Sequence, residues 1–139
     1  MKIILDTCVI SETVRKLPDP GVLEWLEKQR EQDLYLSVLT VGEIRKGIAR
    51  LDDSHRKNEL AAWVDGILTQ RFESRLLCVD AAIASMWGKI TAQAEMSGRK
   101  IPVIDGLIAA TAKVHELHVA TRNTKHLEAC GVSVVNPWT

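Results

Sequence analysis

The chain has 139 residues, a length suited to one domain with one substantial core. Eighteen basic and eighteen acidic side chains cancel to a formal net charge of zero. Binding of nucleic acid through overall charge is therefore excluded, and an anionic substrate needs a local basic patch or bound cations. No apolar run approaches the roughly 18 residues that span a bilayer. The apolar residues 3–5 are broken by Asp6, too short for a secretory signal core, so a cytoplasmic location is expected.

Residues 2–6 read as the first strand, apolar on consecutive positions as in a strand covered on both faces. Asp19-Pro20 reads as an N-cap with proline at the first helical position, opening a helix to residue 29. A second strand is expected at 34–37, followed by a helix opened by Thr40 and ending near residue 50. Residues 53–72 carry Leu60, Ala61, Val64, Ile67 and Leu68 on one helical face. A third strand at 75–79 leads to Asp80, which caps a helix to about residue 96. Pro102 starts a helix bearing Ile104, Leu107, Ile108, Thr111 and Ala112, ending near residue 116. Strands at 118–121 and 132–135 complete the pattern. Strands alternating with helices imply an α/β sandwich around a parallel sheet. Such sheets place ligands at the carboxyl ends of their strands.

Acidic and amide residues from four separated segments fall at that one edge. Asp6 ends the first strand; its other reading is an N-cap for the segment that follows. Glu43 lies in the first turn of the helix after strand two. There Thr40-Val41-Gly42-Glu43 also fits a capping box, in which Glu43 folds back on the Thr40 amide. Asp105 is the one acid in an apolar first turn, either a dipole-favoured surface group or a group needing a cationic partner. Gly106, Ala109, Ala110 and Ala112 would let that helix approach the sheet closely. Asn123 follows strand four, where a simple turn role is the alternative. Converging carboxylates repel one another unless a counter-charge is present, and hard divalent cations prefer oxygen ligands. Asp6, Glu43 and Asp105 are accordingly expected within reach of one metal ion. No Ser/His/Asp triad or glycine-rich phosphate loop is present.

These segments resemble the PIN-domain ribonucleases, specifically the VapC and FitB-like toxins of type II toxin–antitoxin systems. The resemblance rests on Ile4-Leu5-Asp6-Thr7 with Ser11-Glu12 nearby, and on residues 37–48 around Glu43. It also rests on 104–112 beginning Ile104-Asp105-Gly106, on 121–126 reading Thr-Arg-Asn-Thr-Lys-His, and on Val135-Asn136-Pro137-Trp138. It implies a single PIN domain over residues 1–139, a three-layer sandwich with a five-stranded parallel sheet flanked by helices. It implies Mg²⁺- or Mn²⁺-dependent endonucleolytic cleavage of RNA, homodimers, and a cognate antitoxin that blocks the site. Carried over by motif, Asp6, Glu43 and Asp105 are the metal-binding acids, and Thr7 and Thr121 are hydroxyls that orient them. Asn123 stands where many members have a fourth acid; as an amide it brings no charge. His126 is given no catalytic role.

Arg45, Lys46, Arg122 and Lys125 flank these segments and are the candidate RNA contacts, solvated surface being the alternative. His55, His115 and His118 lack metal spacing. Trp25, Trp63 and Trp87 read as core or interface residues, and the apolar helices around Trp63 and Trp87 motivate the homodimer independently. Cys8, Cys78 and Cys130 are read as buried small hydrophobes in a reducing compartment. Two other functions compete: a catalytically silent PIN-like binding module, against which the intact acid set argues, and a metal-dependent phosphatase of small molecules, which lacks its phosphate loop.

Overall fold

A computed structural model describes residues 1–139. Its centre is β1 (Ile3–Leu5), and every residue of this strand is fully buried. Side chains alternate across a strand. Ile3 and Leu5 accordingly join one core cluster and Ile4 the other, which makes the three layers. The five strands are all parallel, in the order β3-β2-β1-β4-β5, with β2 at Leu34–Ser37, β3 at Leu76–Leu77, β4 at His118–Ala120 and β5 at Val134–Val135. The five-stranded parallel sheet between helices is thus as expected. The first, third, fourth and fifth strands are shorter than the sequence suggests.

One face carries α1 (Thr7–Glu12), α2 (Pro20–Glu27), α3 (Val38–Ala49) and the helical stretch from 55 to 71. Val9, Ile10, Val22, Leu26, Ile44 and Ile48 pack there against Leu34, Leu36 and Phe72. The other face carries α6 (Ala81–Met96), α7 (Val103–His115) and α8 (Thr124–Ala129), contributing Ile83, Ile108 and Leu127. The 55–71 stretch is not one regular helix. It comprises α4 (His55–Ala62, capped by Ser54), a π-helical segment Trp63–Leu68, and α5 (Thr69–Arg71). The Thr69 hydroxyl donates to the Val64 carbonyl five residues back, at 2.5 Å.

Small residues do the work expected of them in α7. Ala109, Ala110 and Ala112 are buried against the sheet. A Cβ at Gly106 would meet the Trp87 indole at 3.1 Å, so glycine is what lets α6 and α7 close on each other. Asp19 and Asp80 cap α2 and α6 as read from the sequence. The capping box at Thr40 is not found. Ser37 caps α3 by accepting from the Leu39 amide at 3.0 Å, so the cap lies three residues earlier. Glu43 therefore stands in the second turn, beyond reach of an N3 role. No helix is long and apolar enough to cross a membrane.

Candidate active site

The sheet order reverses beside β1: β2 lies on one side and β4 on the other. In open parallel sheets this switch point opens a crevice at the carboxyl ends of the strands. Asp6 follows β1 there, Thr121 follows β4, and α3, which carries Glu43, follows β2. Helix α7 runs back into β4, which brings its first turn, with Asp105, to the same edge.

Asp6 is held at both oxygens. Oδ1 accepts from the Thr7 amide at 2.8 Å, the N-cap bond of α1, and Oδ2 accepts from the Thr121 hydroxyl at 2.7 Å. The capping and the site readings of Asp6 are therefore compatible. The residue is only 5% exposed. Burial pushes its pKa above the ordinary value, and the negative charge of Asp105 adds to the rise. Thr7 also ties Asp6 to Glu43: its amide serves Asp6, while its hydroxyl donates to Glu43 Oε1 at 2.5 Å. Thr40, fully buried, places its hydroxyl 3.4 Å from that of Thr7. Thr121 is the matching relay on the other side, since its hydroxyl also accepts from the Asn123 amide at 2.9 Å.

Asp105 Oδ2 lies 3.0 Å from Nδ1 of His126 on α8. The sequence reading gave His126 no role, yet it is the one side chain paired with Asp105. Its position three residues after Asn123, on one helical face, is a signal in hindsight. Asn123 is exposed at the start of α8, and its side chain caps nothing. The cysteine expectation holds only for Cys130. Cys78 is exposed, and half-buried Cys8 belongs to the site, its sulfur accepting from the Arg122 amide at 3.4 Å. Of the basic candidates, Arg45 is paired with Asp65 and the Arg122 guanidinium lies 4.2 Å above the Trp138 ring. Lys46 lines a depression with Glu43 and Ile104, and Lys125 lies beside His126.

The three carboxylates share an edge without forming a closed cage. No three His, Cys, Asp or Glu groups are drawn together tightly enough to close around an ion in the arrangement as it stands. Each carboxylate faces a hydroxyl, an amide or an imidazole instead, as like charges demand. The donor set nevertheless suits a hard cation. It consists of oxygen atoms, one of its acids is buried beside another acid, and neither Asp6 nor Glu43 has a basic partner. A divalent ion that keeps part of its water shell fits such a spread set.

A family model described as PIN domain matches residues 3–132. Toxin FitB of Neisseria gonorrhoeae is 42% identical to this chain over 136 residues, spanning 98% of each chain. VapC ribonuclease Y4jK of Sinorhizobium fredii is 40% identical over 136 residues, spanning 98% of this chain and 97% of its own. The crystal structure of FitAcB from Neisseria gonorrhoeae superposes with a TM-score of 0.94 at 42% identity, covering 98% of each chain.

Proposed function

The chain belongs to the PIN domain family, and on that premise we propose that it is a metal-dependent endoribonuclease acting as the toxin of a toxin–antitoxin pair. The observation that carries this reading is Asp6: a buried carboxylate at the switch point, beside a second acid and without a cationic side chain. A scaffold carboxylate in that position would be paired, whereas a cation-binding one is left free for its ion. Relatives described as ribonucleases and as toxins supply the substrate class.

Asp6, Glu43 and Asp105 would hold Mg²⁺, or Mn²⁺, through direct and water-mediated contacts. When bound, such an ion supplies positive charge for the developing phosphorane and lowers the pKa of a water nucleophile. The chain's own part is positioning. Thr7 holds Asp6 with its amide and Glu43 with its hydroxyl, so one residue sets the spacing of two acids. Thr121 fixes the other oxygen of Asp6. His126 sets the orientation of Asp105. The exposed Asn123 amide is placed to hydrogen-bond solvent or substrate without adding charge. Arg45, Lys46, Arg122 and Lys125 remain the phosphate contacts proposed beside these acids.

Solved structures similar to this chain include FitAB bound to a DNA fragment and a member of the VapBC family of toxin–antitoxin systems. For this chain we place a cognate antitoxin protein over the same edge, a homodimeric toxin, and a cytoplasmic setting. The test is purified chain against total RNA with Mg²⁺, with Mn²⁺ and with EDTA, followed by end-mapping of products. Discrete cleavage that needs the divalent ion and vanishes in Asp6→Asn is expected. Cleavage that persists in EDTA overturns the metal reading, and no cleavage with either ion overturns the nuclease reading.

A further inference from the structure

A broad depression is lined in part by His126, the partner of Asp105. It measures about 560 Å³ and is lined by Arg99, Lys100, Lys125, His126 and Glu128. A second, of about 290 Å³, shares Lys125 and His126 with it and continues past Asn123 to Arg122. His126 thus belongs to both depressions while its Nδ1 contacts Asp105. The two form one track that passes the acid cluster at His126. Arg99, Lys100 and Lys125 are exposed and have no ion-pair partner, so against the single acid Glu128 they leave the groove basic in a chain of zero net charge.

The placement of Arg99 and Lys100 is built into the backbone. Helix α6 ends at Met96 with Ser97 as its C-cap, and Gly98 takes a left-handed conformation at φ 75°. The Gly98 amide donates to the Glu95 carbonyl at 3.0 Å and the Arg99 amide to the Ala94 carbonyl at 2.8 Å. This is a Schellman closure, in which glycine carries no steric penalty. Three residues later Pro102 opens α7 and, two residues into that helix, Asp105. The two basic residues are therefore clamped between a helix stop and a helix start, on the segment that delivers an acid of the site.

We propose that this groove is the seat of the RNA strand flanking the cleaved bond, with Arg99, Lys100 and Lys125 contacting successive phosphates. The assignment rests on the nuclease reading above. Unpaired cations along a track contact the sugar–phosphate backbone and not a base edge, so the groove confers affinity and register without reading sequence. It also answers the difficulty set by zero net charge: the attraction is local.

The experiment compares the parent with a triple variant, Arg99→Ala/Lys100→Ala/Lys125→Ala, and with a control, Lys2→Ala/Lys28→Ala, whose exposed lysines lie outside the groove. Affinity for a labelled single-stranded oligoribonucleotide is measured by anisotropy in EDTA across a salt series, and KM and kcat are measured with Mg²⁺. The triple variant is expected to lower the slope of log Kd against log salt by about 2 and to raise KM about tenfold, three cations counting roughly 0.7 each on a single strand. Its kcat should stay within about twofold of the parent, and the control should match the parent throughout. A parent that cleaves RNA with a triple variant of unchanged KM and salt slope overturns the groove and leaves the nuclease reading standing. A parent that neither binds nor cleaves RNA overturns both. A triple variant that loses affinity for polyglutamate but not for RNA assigns the groove to an acidic polypeptide and overturns the proposal.

Discussion

The short helix α1 has a buried carboxylate at each end, and the two are treated in opposite ways. Glu12, 3% exposed, accepts from the Asp19 amide at 2.9 Å and from the Arg15 guanidinium at 3.1 and 3.2 Å. The Asp19 amide first, then Arg15, hold its carboxyl below its ordinary value of 4.5. Asp6, 5% exposed, has a hydroxyl and an amide but no cation, and its neighbour Asp105 is another acid, so its pKa is raised. Solvent exposure is nearly equal at the two ends, but Asp6 lies deeper among protein atoms, and the partners differ. A carboxylate whose charge is matched by the chain is scaffold, and one whose charge is left unmatched is available to something the chain does not supply.

The largest effect breaks the comparison at the Asp6 end. Asp6→Asn, and likewise Glu43→Gln, should lower cleavage about 10³-fold or more, corresponding to about 4 kcal/mol of lost transition-state stabilisation. The fold should not suffer. Replacing a buried carboxylate that is repelled by Asp105 with a neutral amide removes a desolvation cost, so Tm should be equal or higher. Parallel rate assays and thermal melts check both halves. A large drop in Tm with the rate intact would make Asp6 a scaffold residue like Glu12.

His126 comes next. Partners that orient metal-binding carboxylates typically contribute about 10- to 100-fold in affinity or activity. His126→Ala should lower activity and raise the Mg²⁺ concentration needed for half-maximal rate within that range. His126→Asn, whose amide can hydrogen-bond Asp105 from a similar position, should recover part of the loss. A purely structural histidine would move Tm but leave the metal titration unchanged.

Much of this frame was legible from the chain alone. β2 and the Asp80-capped α6 match the sequence reading, because four consecutive apolar or small residues and a clear cap followed by a long helical period are local signals. The three acids were legible as positions along the chain but not as an arrangement. Spacing places Glu43 at the edge, whereas the hydroxyl of Thr7, 36 residues away, decides where its carboxylate turns. His126 was missed for the same reason: its partner Asp105 lies 21 residues away on another helix. Helix α1, with six residues, is too short for periodicity to declare, and its cap Asp6 was already claimed as a site residue. Arg99 and Lys100 did not figure among the basic candidates of the sequence, because Gly98 and Pro102 fix their place only through the path between α6 and α7.

At the other end of α1 the expected effect is on stability. Glu12→Gln should cost about 2 kcal/mol, because a charged acceptor of three hydrogen bonds is replaced by a weaker neutral one. Activity of the folded fraction should be unchanged. The pH dependence has a definite sign. A carboxyl whose folded pKa is depressed stabilises the fold above its unfolded pKa, and that stabilisation is lost as pH falls through the folded value. The parent and Glu12→Gln should therefore differ fully at neutral pH and converge below about pH 4.5, the ordinary value from which the folded pKa descends. Urea titrations at a series of pH values measure this. A gap that persists undiminished at low pH would show that packing, not charge, makes Glu12 structural.

The smallest effect asks whether the division between scaffold and site holds one helix further on, at α3. Ser37 is fully buried, and its hydroxyl accepts from the Leu39 amide, satisfying one of the free donors at the start of the helix that carries Glu43. Ser37→Ala removes that acceptor and should cost about 1 kcal/mol. Glu43 lies six residues on, and its carboxylate is positioned by Thr7, not by the first turn of α3. The rate should then stay within about twofold of the parent, equivalent to less than about 0.5 kcal/mol. Thr7→Val is the counterpart: it keeps the amide bond to Asp6 but deletes the hydroxyl bond to Glu43, so it should lower the rate by about tenfold or more. A Ser37→Ala chain that loses activity as steeply as Thr7→Val would mean that the helix start aims Glu43, and the boundary between scaffold and site would have to be drawn one turn closer to the sheet.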